Sequence, residues 1–279
     1  MGRSVLPIKD SPVVMPLMPT LTAEQRALLR IADSALIHSQ RLAQWCGHAP
    51  MLEEDLALSN IALDLLGQAR MLYQYLATQP ESLGCDEDWY AYWRNEKDFF
   101  NVSLVELPNG LTLSSGPRED YAVTLVKLLV SAAYFLPYWS ALSRAPDQAL
   151  AEIAQKSVKE ARYHWEHAAE WMRRMGDGTP ESNRRAQAAL ERVWPYSNEF
   201  FNDDEFDRKA KLGLTGILPS EIEPSWNQLV DPVLSEAQLK RPSPSKMLSR
   251  GKQGEHTEAF GFLLFEMQSL ARQHPGALW

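Results

Sequence analysis

The chain has 279 residues, 45% of them hydrophobic, with 36 acidic and 28 basic side chains and a net charge of −8. That length and apolar content can bury a large core, while the acidic balance excludes a surface built as a whole for nucleic acid or anionic membrane, both of which call for a basic excess. Cys46 and Cys85 are the only cysteines, too few for a disulfide framework or a zinc cluster, so a reducing cytoplasm is the expected setting.

Residues 1–20 read as a proline-rich N-terminal arm, flexible or laid across a partner. Pro7, Pro12, Pro16 and Pro19 interrupt any apolar run long enough for a signal peptide, and Leu6 stands where a myristoylation signal needs Ser or Thr. The first long helix, 22–45, opens at Thr22, whose spacing to Gln25 fits a capping box, and Gly47 and Pro50 close it. The second covers 51–78. Asp86 to Leu107 is aromatic-rich and predicts two shorter helices before the Pro108-Asn109-Gly110 turn. Pro117 opens the third long helix, 117–143, bent at Pro137. Between Tyr121 and Ser143 its only charge is Lys127. The run is long enough to span a membrane, but Tyr, Ser, Thr and Ala interrupt it and no second span accompanies it. It reads as a central core helix, or one buried on its far side by another subunit.

The fourth long helix, 147–175, runs from Pro146-Asp147 to the Gly176-Asp177-Gly178 stop. The extension 177–279 holds a helix over Ser182–Phe200, then an acidic stretch (Asp203, Asp204, Glu205, Asp207). Short pieces punctuated by Pro219, Pro224 and Pro232 follow, and then a final helix over Glu255–Gln273. No strand pattern, solenoid repeat or phosphate-cradling glycine loop is present. The fold class is therefore all-α: a four-helix bundle with additional C-terminal helices, 21–279 forming a single domain.

Chemistry is expected inside that bundle. Wound at about 100° per residue, the second helix puts Leu56 and Leu63 on one side of Asp64 and Ile61, Leu65 and Leu72 on the other. Asp64 thus falls near the middle of an apolar sector, with Asn60 one turn before it and Gln68 one turn after. A carboxylate in a core costs several kcal/mol unless it is paired or hydrogen-bonded, so neighbouring helices must supply partners. On the fourth helix His164 shares the sector of Leu150, Ile153, Ala161, Ala168, Trp171 and Met175, with Glu160 and His167 at its edge. Polar groups inside a four-helix bundle invite a di-iron carboxylate reading, which needs a Glu from each of two helices and a Glu-x-x-His pair from each of the other two.

The sequence fails that requirement in three places. The third long helix has no acid between Tyr121 and Ser143. Ala161 stands three residues before His164, where the carboxylate belongs. On the second helix the available pair is Leu65 and Gln68. Leu65, Gln68 and Ala161 are thus the lost ligand positions, and Asp33, Asn60, Asp64, Gln68, Glu160 and His164 are expected to form a buried hydrogen-bonding set rather than a metal cage. For His164 the alternatives are a metal ligand or an acid-base group, and Glu160, His164 and His167 could hold a single divalent ion at the surface. The run Gly254-Glu255-His256-Thr257-Glu258 reads first as a helix cap and second as a contact with ligand or partner. Lys240, Arg241, Lys246, Arg250 and Lys252, with no acid among them, read as a solvated surface or as a contact for phosphate groups or an acidic partner.

Several stretches also carry a family likeness. They are Gln40-Arg41-Leu42, Trp45-Cys46-Gly47-His48-Ala49-Pro50, Asp55-Leu56-Ala57-Leu58 and Leu63-Asp64-Leu65-Leu66-Gly67-Gln68-Ala69-Arg70, then Lys159-Glu160-Ala161-Arg162-Tyr163-His164. Near the C-terminus come Gly251-Lys252, Gly254, His256-Thr257-Glu258, Glu266-Met267-Gln268 and Pro275-Gly276. In order and spacing, over 21–279, these resemble the C-type subunits of the ring 1,2-phenylacetyl-CoA epoxidases. The resemblance implies a ferritin-like fold similar to that of the catalytic A-type subunit but without its iron ligands. It implies no cofactor in this chain, the di-iron centre and the thioester substrate being held by the A-type partner, which this subunit braces. Other small subunits and a separate flavin and iron-sulfur reductase complete the implied assembly, with contact to the acyl-CoA and self-association of the isolated chain as further possibilities. Two alternatives stand beside it: a divergent metal-binding oxygenase using Asp64, Glu160, His164 and His167, and a module whose basic loop binds the phosphates of coenzyme A.

Overall fold

Caps and breakers set the helices. The computed structural model describes residues 20–82, 84–110, 120–243, 249–275 and 277; the expectations for the N-terminal arm before Thr20, the start at Pro117 and Lys246 lie outside them. Helix α1 (Ala23–Ala43) opens on a reciprocal Thr22/Gln25 capping box. Helix α2 (Leu52–Ala77) begins with Glu53, Glu54 and Asp55, a favourable charge for a helix N-terminus. Two short helices, α3 (Glu87–Tyr92) and α4 (Ser103–Glu106), lie in the crossover that follows. Asp120 caps α5 (Tyr121–Leu142), and Asp147 caps α6 (Gln148–Gly176) through the Leu150 amide.

Helices α1 and α2 pack along one another, α5 and α6 do the same, and α2 meets α6 between the pairs. Two hairpins joined by one long crossover make the ferritin-like arrangement. The rest of the chain wraps it: α7 (Pro180–Val193) and α9 (Glu223–Glu236) cover α5, α8 (Glu205–Ala210) packs on α1, and α10 (Glu258–Gln273) lies over α3 and α4. Among the described residues there is no β-strand, and Arg250 and Glu255 form an isolated bridge.

Helix α5 is the one described helix long and apolar enough to cross a membrane, and 89% of that window is buried inside the fold. Its far side is closed by α7 and α9 of the same chain, so its all-round apolarity is that of a core helix. The helix expected over Ser182–Phe200 is split. It is α-helical to Val193 and continues as a 3-10 stretch over Trp194–Phe201, because Pro195 has no N–H to donate to the preceding turn. The acidic stretch is structural too, since Asp204 caps α8 through the amides of Phe206 and Asp207.

Candidate functional site at the bundle centre

Helix α2 has two apolar sides rather than one. Leu58, Ile61, Leu65 and Leu72 are buried against the bundle, whereas Leu56 and Leu63 are 57% and 64% exposed. Asp64 lies on the seam between the two sides and its side chain is 36% exposed. This corrects the expectation of a carboxylate sunk in the core: an apolar sector counted across both sides places its middle at their boundary. Asn60 is exposed outright and takes no part in a buried network.

Two hydrogen-bonded pairs link α2 to α6 across that seam. Asp64 Oδ2 lies 3.1 Å from His164 Nε2, and Gln68 Nε2 donates to Glu160 Oε2 at 2.9 Å. His164 and Gln68 are buried, and so are Leu65 and Ala161 beside them, 6% and 2% exposed. Deeper in the bundle His38 of α1, 2% exposed, has its Nδ1 3.4 Å from Ser131 Oγ of α5. Burial pushes His38 well below the usual histidine range, with help from the neighbouring Lys127 and His164. Lys127 is itself buried and donates to the Leu107 carbonyl and, at 3.0 Å, to Asn109 Oδ1.

Two iron ions need about four carboxylates and two imidazoles. Here Leu65 and Ala161 are buried beside Gln68 and His164, and the one charged residue of α5 is a buried lysine. Among the described residues no three His, Cys, Asp or Glu side chains converge as a metal would require. The described residues do not fit a di-iron centre. The surface ion set is also dispersed, because His167 lies 3.1 Å from Glu54 Oε2 while Glu160 is engaged with Gln68.

Asp33 belongs to a different cluster. From α1 it accepts from both terminal nitrogens of Arg94, from the Tyr73 hydroxyl at 2.6 Å and from the Phe100 amide at 2.8 Å. Both side chains of the Asp33–Arg94 pair are fully buried. Reading the sequence did not pick out Arg94; a lone arginine among Trp89, Tyr90, Tyr92 and Trp93 was the available signal, since a cation in so apolar a stretch needs a buried acid. A second unforeseen cluster closes the end of the bundle where α2 starts. Buried Glu54 accepts from the Tyr121 hydroxyl and from Trp171 Nε1 at 2.7 Å, and burial together with that carboxylate raises the tyrosine far above its usual range.

The expected basic cluster is also dispersed. Lys252 is buried, donating to the Asn202 carbonyl at 2.8 Å and to Asp207 at 3.2 Å, in a network that includes Arg30 and Asp204. Arg241 pairs with Asp231 and lies over Trp194 and Trp226, and Arg250 pairs with Glu255. Only Lys240 of the described members is exposed without an ion pair. Gly254-Glu255-His256-Thr257-Glu258 does more than cap α10. His256 bonds Glu106 at 2.7 Å and the Phe99 carbonyl at 3.0 Å, and the Thr257 amide donates to Glu106. Gly254, at φ +84°, sits so close to Lys97 that a Cβ would meet its carbonyl oxygen at 2.4 Å. The run fastens the C-terminal segment to the crossover.

A family model described as "Phenylacetic acid catabolic protein" matches residues 17–279. The chain is 40% identical over 252 residues, 90% of its own length and 97% of the relative's, to the C-type subunit of the 1,2-phenylacetyl-CoA epoxidase of Escherichia coli (strain K12).

Proposed function

The chain belongs to the phenylacetic acid catabolic protein family, and from that premise we propose that it is a non-catalytic, metal-free subunit of a multicomponent di-iron oxygenase. In this reading the enzyme epoxidises the aromatic ring of phenylacetyl-CoA, and this chain braces the catalytic subunit that holds the metal and the thioester. Other small subunits and a reductase complete the assembly. The setting is a reducing cytoplasm, in keeping with two free cysteines, one exposed and one buried.

The observation that carries the reading is the composition of the bundle centre. Leu65 and Ala161 are buried where ligands would stand, and the polar groups beside them are spent on one another, Asp64 on His164 and Gln68 on Glu160. Groups paired in this way fix the register of α2 against α6, a role best known for polar residues buried at helix seams. Restoring Glu at Leu65 and Ala161 and His at Gln68 would still leave α5 without a carboxylate, so the site is not one substitution from activity. Reconstitution tests the reading. Phenylacetyl-CoA should persist when the isolated chain is mixed with reductase, oxygen and reduced nicotinamide, and should be consumed once the catalytic subunit is added. Turnover by the isolated chain with reductase alone would overturn it.

A further inference from the structure

Along the outer side of α2, Leu52, Leu56, Leu63 and Leu66 are 71%, 57%, 64% and 38% exposed, so nothing among the described residues covers it. At ~100° per residue the first three fall within about 40° of arc, with Leu66 close beside them, and they form a ridge about 20 Å long. Single exposed leucines are ordinary, but four aligned on one helix are not. A groove of about 290 Å³ between α2 and α3, bordered by Leu66, Arg70 and Glu87, opens at its C-terminal end. An aligned apolar ridge of this kind is the relief on which a second helix packs.

Size and charge narrow the occupant. The four leucines expose on the order of 400 Å², about half of the ~800 Å² per partner of a stable interface, leaving the remainder to a polar rim. Alongside the leucines that rim is acidic: Glu53 and Asp64 edge one side and Asp55 the other, and the nearest base on α2, Arg70 just past Leu66, is paired with Glu87 of α3 at 3.3 Å. A second copy would set the acidic rim against itself, whereas a partner edged with basic residues would be steered onto it. We propose that the α2 ridge is the docking surface for a different helical subunit of the same enzyme, one presenting an apolar helix face edged by lysine and arginine. This rests on the functional reading above.

The test is the Kd of the full-length chain for the purified catalytic subunit of that enzyme. L56E/L63E should weaken binding by about 100-fold or more and L56Q/L63Q less, both melting as wild type. F262E/F265E, on the exposed face of α10, should bind as wild type, and the wild-type complex should weaken with added salt. Undiminished binding by L56E/L63E, or loss in F262E/F265E instead, would overturn the docking surface and leave the functional reading intact. A wild-type chain that binds no catalytic subunit would remove both. A wild-type homodimer dispersed by L56E/L63E without the catalytic subunit would assign the ridge to a second copy and also overturn the proposal.

Discussion

Replacing Asp33 by asparagine removes the carboxylate that faces Arg94. The guanidinium is fully buried, and its other acceptors are the main-chain carbonyls of Tyr90 and Asp98 and the Tyr73 hydroxyl. The charge would be left uncompensated, and the new amide N–H₂ would face donors at Arg94, Tyr73 and Phe100. Breaking a buried pair from one side costs ~3–5 kcal/mol. At roughly 2 °C per kcal/mol for a chain of this size, Asp33→Asn should lower Tm by about 6–10 °C. Asp33→Leu with Arg94→Met removes both charges, leaving the Tyr73 hydroxyl and the Phe100 amide without their acceptor, at ~1–3 kcal/mol for each unsatisfied group, and the Tyr90 and Asp98 carbonyls without the Arg94 donor that the Arg94→Met single variant also removes. The double variant should therefore lose less than the sum of its single variants. Urea unfolding followed by circular dichroism, with slopes compared so that a shift in midpoint is read as stability, measures all of them. A loss under about 1 kcal/mol for Asp33→Asn, or strict additivity in the cycle, would refute the reasoning.

Two histidines give opposite pH dependences. Burial opposes the charged form of His256, but the bond and charge of Glu106 outweigh it and raise its pKa above 6.5, so its contribution is complete below 6.5 and is lost as pH rises through the raised value. The stability gap between wild type and His256→Gln should accordingly shrink from pH 6 to pH 8 in urea titrations, and a gap that stays constant or widens would count against the raised pKa. His38 is held neutral, so its contribution is complete above 6.5 and is lost as pH falls below it. His38→Gln should flatten the acid limb of the stability profile, and an unchanged limb would count against a buried neutral imidazole. Gly254→Ala, strained by its φ and by the Lys97 carbonyl, should cost about 1–3 kcal/mol, with limited proteolysis opening the chain between α9 and α10 first.

The fold class was legible because its signals are local: the Thr22/Gln25 box opening α1, the Asp147 cap on α6 and the apolar run of α5 each set an element without help from distant residues. The neighbours of the bundle centre were legible for the same reason, as helix spacing alone aligns Leu65 with Gln68 and Ala161 with His164. What could not be read was the direction of each face. Leu56 and Leu63 look like core leucines in the sequence, and only their exposure reveals that α2 has a second apolar side and that Asp64 lies at the seam. Partners far apart in the chain were equally hidden. Asp33 answers Arg94 across 61 residues and Lys252 answers Asp207 across 45, so an acid assigned to the centre and a base assigned to the surface both belong to structural ion pairs.

The most direct test is the iron content of the purified chain after anaerobic loading with ferrous iron and desalting. A bundle centre holding Leu65, Ala161 and buried Lys127 should retain close to no iron. Retention of about two irons per chain, the stoichiometry of a ferritin-like carboxylate site, would contradict the account and place the oxygen chemistry in this subunit.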